Sequence, residues 1–231
     1  MLKWVASTPD CLATAKFVLK VDDDAFVNPA EMWNSLEHAL LHTATTKTLV
    51  NFLPPPAAKA EAKDGVEVEA PSASESIDYL MMGDLQTAVP DRNLASKWYL
   101  PPRFYPLNIF PKFLSGSGYV LSTSLAPILY QCAIKTPYLN LEDVFLSGIC
   151  ATTQLGLKLT GNLGFKRAKP LVGGNYVCYY KTSALIHPLT PEEMEHMWVK
   201  IGEDLNCDTF YFFMIKCLTT FFGFFQNLFR L

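Results

Sequence analysis

The segment FVLKVDDDAFVNPAEMW, at positions 17–33, combines a strand signal, an acidic cluster and a helix start. Phe17–Val21 is a short apolar run rich in β-formers, and this predicts an inner strand. Asn28 followed by Pro29 is typical of a helix N-terminus. Three aspartates at 22–24 therefore lie between the carboxyl end of a strand and a helix. This order of elements favours an α/β fold.

The three adjacent carboxylates of Asp22, Asp23 and Asp24 repel one another and are disfavoured in a strand. Open α/β sheets place ligand crevices outside the carboxyl ends of their strands, and carboxylate oxygens suit Mg²⁺ or Mn²⁺. An EF-hand loop is excluded, because the glycine and distal glutamate that it requires do not follow. The alternative is a helix-entry cluster favoured by the helix dipole. The residues alone leave both open.

Length and composition fit one domain with appendages. The chain has 231 residues, of which 50% are hydrophobic, and its net charge is −3. That apolar share suffices for a core, whereas the weak negative charge argues against a nucleic-acid partner. No CxxC pair occurs, which disfavours a zinc site. The cysteines are either buried free thiols or disulfide-bonded, and the sequence does not decide between these states. The cysteines are Cys11, Cys132, Cys150, Cys178, Cys207 and Cys217.

Composition divides the chain into four segments. Residues 1–53 carry the acidic cluster, and residues 54–76, rich in Pro, Ala, Glu, Lys and Ser, are predicted to be a disordered insertion. Residues 77–207 continue the domain, and residues 208–231 form an aromatic, hydrophobic tail. The tail approaches the length of a membrane span. Its pattern also fits an amphipathic surface helix, a packed terminal helix or a segment with no evolved fold.

Local signals predict the elements of the second half. A helix begins near Thr123 or Ser124, and another runs from Asn140 to near Gly156 before a strand. A further helix is capped by Thr190 with a glutamate at the capping-box position. The stretch LSGSGYVLS is predicted to be a glycine-bearing turn that leads into a strand, and CYYKTSALIHP is predicted to be a strand.

Several residues outside the aspartates are candidates for chemistry. Glu142 and Asp143 begin a helix, where a carboxylate either matches the helix dipole or acts as a general base on a hydroxyl. Gly116 and Gly118 allow either a tight turn or close approach to a ligand. His187 ends a strand, where an imidazole is more often structural, although it also suits Mn²⁺.

The aromatic pair Trp98 and Tyr99 fits either core packing or stacking on a sugar face. The motifs follow a fixed order: K-x-D-D-D-x-F-x-N, S-K-W-Y, Y-P with S-G-x-G-Y-V-x-S, E-D-V with G-x-C, and I-H-P-x-T-P-E-E-M. This order resembles glycosyltransferase family 31, the β-1,3-galactosyltransferase family, which also includes β-1,3-N-acetylglucosaminyltransferases. The resemblance runs from about Trp4 to Cys207 and skips residues 54–76.

The resemblance implies a GT-A fold, a Rossmann-like mixed sheet flanked by helices. It implies inverting transfer of a hexose, most often galactose, from a UDP-sugar to a glycan hydroxyl on a glycoprotein or glycolipid, with Mn²⁺ as cofactor. Asp24 matches a direct metal ligand, Asp22 a residue facing the donor, Asp143 the catalytic base and His187 a position near the metal. The remaining matched positions imply donor or acceptor contacts: Asp23, Trp98, Tyr99, Gly116, Gly118, Tyr119 and Glu142.

Family members are membrane-associated, with the catalytic domain in the Golgi lumen, and the resemblance implies the same location here. They carry their first sheet strands and a membrane anchor before the position of Trp4, so those strands are expected to be missing from this chain. Members often have a cysteine where this chain has Leu114, which removes one familiar disulfide. There are two alternatives. One is a transferase that uses UDP-N-acetylglucosamine as donor, and the other is an inactive fragment that packs on a partner or membrane.

Overall fold

The computed structural model of the protein describes residues 1–45, 79–170 and 176–203, together with Cys207. The predicted insertion at 54–76 and the tail at 208–231 lie outside the described residues. None of the helices in the described ranges is long and apolar enough to cross a membrane. The helices are α1 (Leu2–Ser7), α2 (Pro9–Thr14), α3 (Pro29–Thr45), α4 (Leu125–Lys135), a π-helix (Val144–Gln154), α5 (Tyr176–Lys181) and α6 (Pro191–Ile201).

The strands form two mixed sheets. They are β1 (Phe17–Val21), β2 (Phe26–Val27), β3 (Met81–Gln86), β4 (Phe113–Ser122), β5 (Thr160–Gly161), β6 (Phe165–Lys166) and β7 (Leu185–Ile186). The larger sheet has the order β1-β4-β3-β5, and the smaller has the order β2-β7-β6. β4 pairs antiparallel with β1 and β3, whereas β3 with β5 and β6 with β7 are parallel. The mixed α/β architecture predicted from the sequence is confirmed.

Helices cover both faces of the larger sheet. Successive side chains of a strand point to opposite faces, so neighbouring residues pack in different apolar clusters. Met81 and Leu121 pack in one apolar cluster with residues of α1, α4 and the π-helix. Their neighbours Met82 and Val120 pack in a second cluster with α3 and with Leu185 of the smaller sheet. The sheet therefore forms the middle layer, and β4 crosses its centre.

Three strand predictions need correction, two of them in the larger sheet. β1 was expected to be an inner strand, but within the described residues it lies at the edge of the larger sheet, and its side chains are half-buried or exposed. The stretch LSGSGYVLS was expected to contain a turn, but it lies wholly within β4. Gly116 and Gly118 serve close packing in an extended strand instead. Gly156, at φ of 66°, does end the π-helix as predicted.

The segment CYYKTSALIHP is a helix and a short strand, which corrects the prediction of a single strand. Residues 176–181 form α5, and only Leu185–Ile186 is extended. Tyr180 is fully buried and packs edge-to-face on Phe26, with ring centroids 5.4 Å apart. The Thr182 hydroxyl bonds back to the Cys178 carbonyl oxygen and closes the helix. Tertiary packing therefore overrides the β-propensity of the aromatic residues.

The predicted helix starts are confirmed where capping is local. Asn28 Oδ1 accepts a hydrogen bond from the Glu31 N–H at 3.3 Å. Thr190 and Glu193 form the predicted capping box at the start of α6. For the π-helix, Asp143 rather than Asn140 is the capping residue.

The described cysteines include both a disulfide and free thiols, the two states that the sequence left open. Cys178 and Cys207 form a disulfide, with Cα atoms 5.4 Å apart. Cys132 and Cys150 are free thiols between α4 and the π-helix. Burial raises the pKa of the Cys150 thiol to about 12.

Candidate active site

The aspartate cluster lies in the loop that leaves β1. The Asp22 N–H donates to the Ser117 carbonyl oxygen at 3.2 Å, which keeps the start of the loop on β4. β2 then pairs antiparallel with β7, so that Phe26 lies opposite Ile186. This pairing brings His187, the residue after β7, back to the loop. The His187 Nε2 atom lies 3.0 Å from Asp24 Oδ1.

Asp22, Asp24 and His187 form a group suited to a cation. One ligand atom from each lies within 4.8 Å of the others. Two carboxylate oxygens and an imidazole nitrogen fit the preferences of Mn²⁺, and the side chains are 41%, 47% and 26% exposed, so that a ligand can reach them. Asp23 is exposed and contributes no ligand atom to this group. The donor set present therefore fits Mn²⁺, the metal that the family resemblance implies.

Asp143 is held at the start of the π-helix by backbone groups. Its Oδ2 atom accepts a hydrogen bond from the Gly116 N–H at 3.0 Å, and its Oδ1 atom accepts one from the Val144 N–H at 2.8 Å. A Cβ atom at position 116 would lie 3.2 Å from Asp143 Oδ2. Glycine at this position therefore lets the carboxylate reach the strand backbone.

Lys20 joins these two parts of the site. Its ammonium donates to Asp22 Oδ1 at 2.6 Å and to the Gly116 carbonyl oxygen, and it lies 3.8 Å from Glu142 Oε2. The other Glu142 carboxylate oxygen accepts a hydrogen bond from the Tyr119 hydroxyl. The predicted residues Asp22, Glu142 and Tyr119 are thus in one network, and Asp143 is connected to it through Gly116.

Burial raises the pKa values of two members of the network, Glu142 and Tyr119. Although 44% of the Glu142 side chain is exposed, burial of its carboxyl among protein atoms raises its pKa, and the Tyr119 hydroxyl and the Lys20 ammonium act in the opposite direction. Burial, reinforced by the neighbouring Glu142 carboxylate, raises the pKa of the Tyr119 hydroxyl. Tyr119 therefore remains a neutral hydrogen-bond donor.

Sequence analysis did not single out Lys20, although a signal was present. Lys20 and Asp22 are two residues apart along an extended segment, so their side chains point to the same side. A lysine at that spacing before an acidic cluster is a natural partner for the first carboxylate.

Other predicted site residues have different roles. Gly118 lies against buried Leu185, and a Cβ there would overlap the Leu185 side chain. Trp98 and Tyr99 lie in the loop between β3 and β4. Neither residue takes part in the hydrogen-bond network around Lys20. Trp98 is 57% exposed, with the Lys97 ammonium 4.4 Å from its ring centroid, so core packing does not explain it.

Comparison with known proteins agrees with the motif order. Residues 68–160 match the model of the Galactosyltransferase family. The resemblance stated from the motifs is confirmed. The galactosyltransferase-family match contains Gly116 and Asp143, whereas the aspartate loop and His187 lie outside it. The aspartate loop is connected to Asp143 through Lys20 and Gly116.

Curated relatives extend the similarity beyond the galactosyltransferase-family match. The chain is 30% identical over 197 residues to "Beta-1,3-galactosyltransferase 1" of Mus musculus and of Homo sapiens, covering 85% of this chain and 48% of each relative. It is 29% identical over 197 residues to "UDP-GlcNAc:betaGal beta-1,3-N-acetylglucosaminyltransferase 7" of Rattus norvegicus, covering 83% of this chain and 40% of that protein. The chain spans about half the length of the curated relatives it matches.

Proposed function

We propose that the protein is an inverting β-1,3-glycosyltransferase that moves galactose from UDP-galactose to a hydroxyl of a glycan on a protein or lipid. The supporting observation is that a group of side chains suited to a cation and a backbone-held carboxylate, Asp143, are connected by one hydrogen-bond network, in a chain whose residues 68–160 match the Galactosyltransferase family model. A GT-A fold is part of this proposal, and the mixed α/β architecture supports it.

Asp24 and His187, with Asp22 beside them, would hold Mn²⁺ and the UDP part of the donor. When bound, the cation would neutralise the diphosphate and make UDP a better leaving group. Asp24 is the principal ligand in this proposal, because one oxygen of Asp22 is already engaged by Lys20. Asp22 then faces the donor with its remaining oxygen.

Asp143 would act as the general base. Each of its carboxylate oxygens accepts one backbone N–H and keeps a second lone pair for the acceptor hydroxyl. A carboxylate so placed can take the hydroxyl proton as the oxygen attacks the anomeric carbon. Glycosidases use a pair of carboxyl groups, one of them a general acid. Inverting transfer here would require only the base, because the cation would take the place of that acid.

We also propose a membrane-associated location in the Golgi lumen. The disulfide between Cys178 and Cys207 supports an oxidising compartment. The same site would serve UDP-N-acetylglucosamine if the donor preference followed the rat relative, whose printed name states that donor. These two donors are the alternatives that the assay must separate.

Transfer by the purified full chain tests the proposal. UDP-galactose and UDP-N-acetylglucosamine are supplied separately with galactose- and N-acetylglucosamine-terminated acceptors, with Mn²⁺ or with EDTA. We expect Mn²⁺-dependent UDP release with UDP-galactose and a β-1,3-linked product by linkage analysis. Mn²⁺-dependent UDP binding without transfer would support the inactive-fragment alternative. The absence of both UDP binding and sugar transfer would contradict the proposed function.

Asp24→Ala tests the metal role separately from turnover. Since Asp24 contacts His187 and belongs to the cation-binding group, its loss should abolish Mn²⁺-dependent UDP binding in calorimetry. Asp10→Ala, at an exposed carboxylate of α2 outside the Asp22, Asp24 and His187 group, is the matched control and should bind as wild type does. Unchanged metal-dependent affinity in Asp24→Ala would rule out the metal role.

A further inference from the structure

Lys20 is the one cation among the described residues that contacts both parts of the site. Its ammonium bonds to Asp22 in the aspartate loop and to the Gly116 carbonyl oxygen, and lies 3.8 Å from Glu142, the neighbour of Asp143. Its side chain is 20% exposed, so these partners rather than water surround it.

Strand pairing explains why this lysine reaches so many partners. Lys20 in β1 lies directly opposite Tyr119 in β4, so their side chains leave the sheet on the same face. Tyr119 bonds to Glu142 on that face. Asp22 follows Lys20 by two residues and shares its side of the strand.

Gly116 links Lys20 to Asp143 by two backbone hydrogen bonds. Its carbonyl oxygen accepts from Lys20, and its N–H donates to Asp143 Oδ2 at 3.0 Å. With both polar groups engaged, the backbone at this glycine is fixed in orientation. A change at Lys20 would therefore alter the direction in which Gly116 holds the Asp143 carboxylate.

We propose that Lys20 is a positioning residue that fixes Asp143 relative to the Asp22, Asp24 and His187 group, through Gly116 and Glu142. Its catalytic consequence rests on the proposed glycosyl transfer, whereas the structural claim does not. Without the ammonium, the carboxylates of Asp22 and Glu142 would face each other uncompensated and separate.

Three lysine variants test this inference in the full chain. Lys20→Met removes the charge and keeps the bulk, and Lys20→Arg keeps the charge. Lys16→Met, at an exposed lysine just before β1, is the matched control. The measurements are melting temperature, kcat and KM with UDP-galactose, and amide hydrogen exchange at Gly116 by NMR.

Positioning predicts a loss in kcat rather than in donor affinity. We expect Lys20→Met to melt within a few degrees of wild type, to lose roughly tenfold or more in kcat, and to change the donor KM by less than about threefold. Lys20→Arg should restore most of kcat. The Gly116 amide should exchange faster in Lys20→Met and at the wild-type rate in Lys16→Met.

An unchanged kcat, an equal loss in Lys20→Arg, or unchanged exchange at Gly116 would overturn the inference. If Lys20→Met unfolds, the Lys20→Arg protein decides, since charge at this position should keep Gly116 exchange near wild type. If the wild-type chain shows no transfer, the proposed function fails for this chain. The exchange measurement then still decides whether Lys20 positions Gly116.

Discussion

Asp24 and Asp143 are both carboxylates of one candidate site, but the structure holds them by different means. Asp24 meets His187 side chain to side chain, in a loop where both are partly exposed. Asp143 is held by two backbone N–H groups, from a strand and from its own helix. Its carbonyl oxygen also accepts from the buried Ser147 hydroxyl at 2.6 Å.

This difference matches two chemical tasks. A cation-binding group must close around an ion that removes the repulsion between its carboxylates, so side-chain contacts that can rearrange suit it. A general base must point at one proton, and small errors in its direction reduce the rate strongly. The comparison predicts that changes near Asp143 act on turnover, and that changes near Asp24 act on metal-dependent binding.

The largest expected effect is that of Asp143→Asn. An amide cannot take a proton, so turnover should fall by roughly a hundredfold or more, while Mn²⁺-dependent UDP binding remains. One of the two backbone N–H groups loses its acceptor, so stability should fall by about 1 kcal/mol. Steady-state kinetics, calorimetry and thermal melting measure the three effects.

Glu142→Gln is the comparison variant, because it lies next to Asp143 and keeps an acceptor for the Tyr119 hydroxyl. It should lose less turnover than Asp143→Asn. The reverse order would move the base role to Glu142. Near-normal transfer by folded Asp143→Asn would remove the base assignment altogether.

The two glycines of β4 sharpen the comparison, because Gly116 faces Asp143 in the site whereas Gly118 faces the apolar core. Gly118→Ala should destabilise the fold by about 1–3 kcal/mol, since the added methyl group overlaps the buried Leu185 side chain. Gly116→Ala meets Asp143 Oδ2 at 3.2 Å and should reduce turnover by about tenfold with little change in melting temperature. Equal melting temperatures for the two variants would contradict this division.

Local signals carried much of the fold prediction. The caps at Asn28 and Thr190 depend on residues within one turn, so the sequence alone identified them. The aspartates and His187 could also be named from their motifs. Their assembly could not be derived from spacing, since it depends on the pairing of β2 with β7.

The failed predictions share a physical cause. The position of β1 at a sheet edge, the strand through Gly116 and the helix around Tyr180 are all set by distant partners. Propensity describes a residue in an average environment, and tertiary contacts override it. Lys20 has one partner, Asp22, close in sequence, but the partners that join it to the Asp143 side, Gly116 and Glu142, lie about a hundred residues away along the chain.

Ser147→Ala tests the buried hydroxyl that bonds to the backbone of Asp143. The Ser147 hydroxyl accepts from the Leu114 N–H at 2.8 Å and donates to the Asp143 carbonyl oxygen. Alanine leaves the buried Leu114 N–H without an acceptor, which should cost about 1–3 kcal/mol of unfolding free energy in urea titration. Thr153→Ala, which removes a hydroxyl from an exposed position of the same helix, is the control. A loss in Mn²⁺-dependent UDP binding larger than the loss in kcat would contradict the separation of the two parts.

Thr190→Ala should have the smallest effect and probes the His187 part. The Thr190 hydroxyl accepts from the Glu193 N–H at 3.3 Å at the exposed start of α6, so its loss should cost about 1 kcal/mol of stability. The segment after His187 is tied to the aspartate loop by a backbone bond instead, from the Leu189 N–H to the Asp24 carbonyl oxygen at 2.7 Å. Mn²⁺-dependent UDP binding by Thr190→Ala should therefore equal that of wild type, and Thr190→Ser should restore the stability. A tenfold weaker binding by the folded alanine variant would show that the cap, rather than that backbone bond, holds His187 in place.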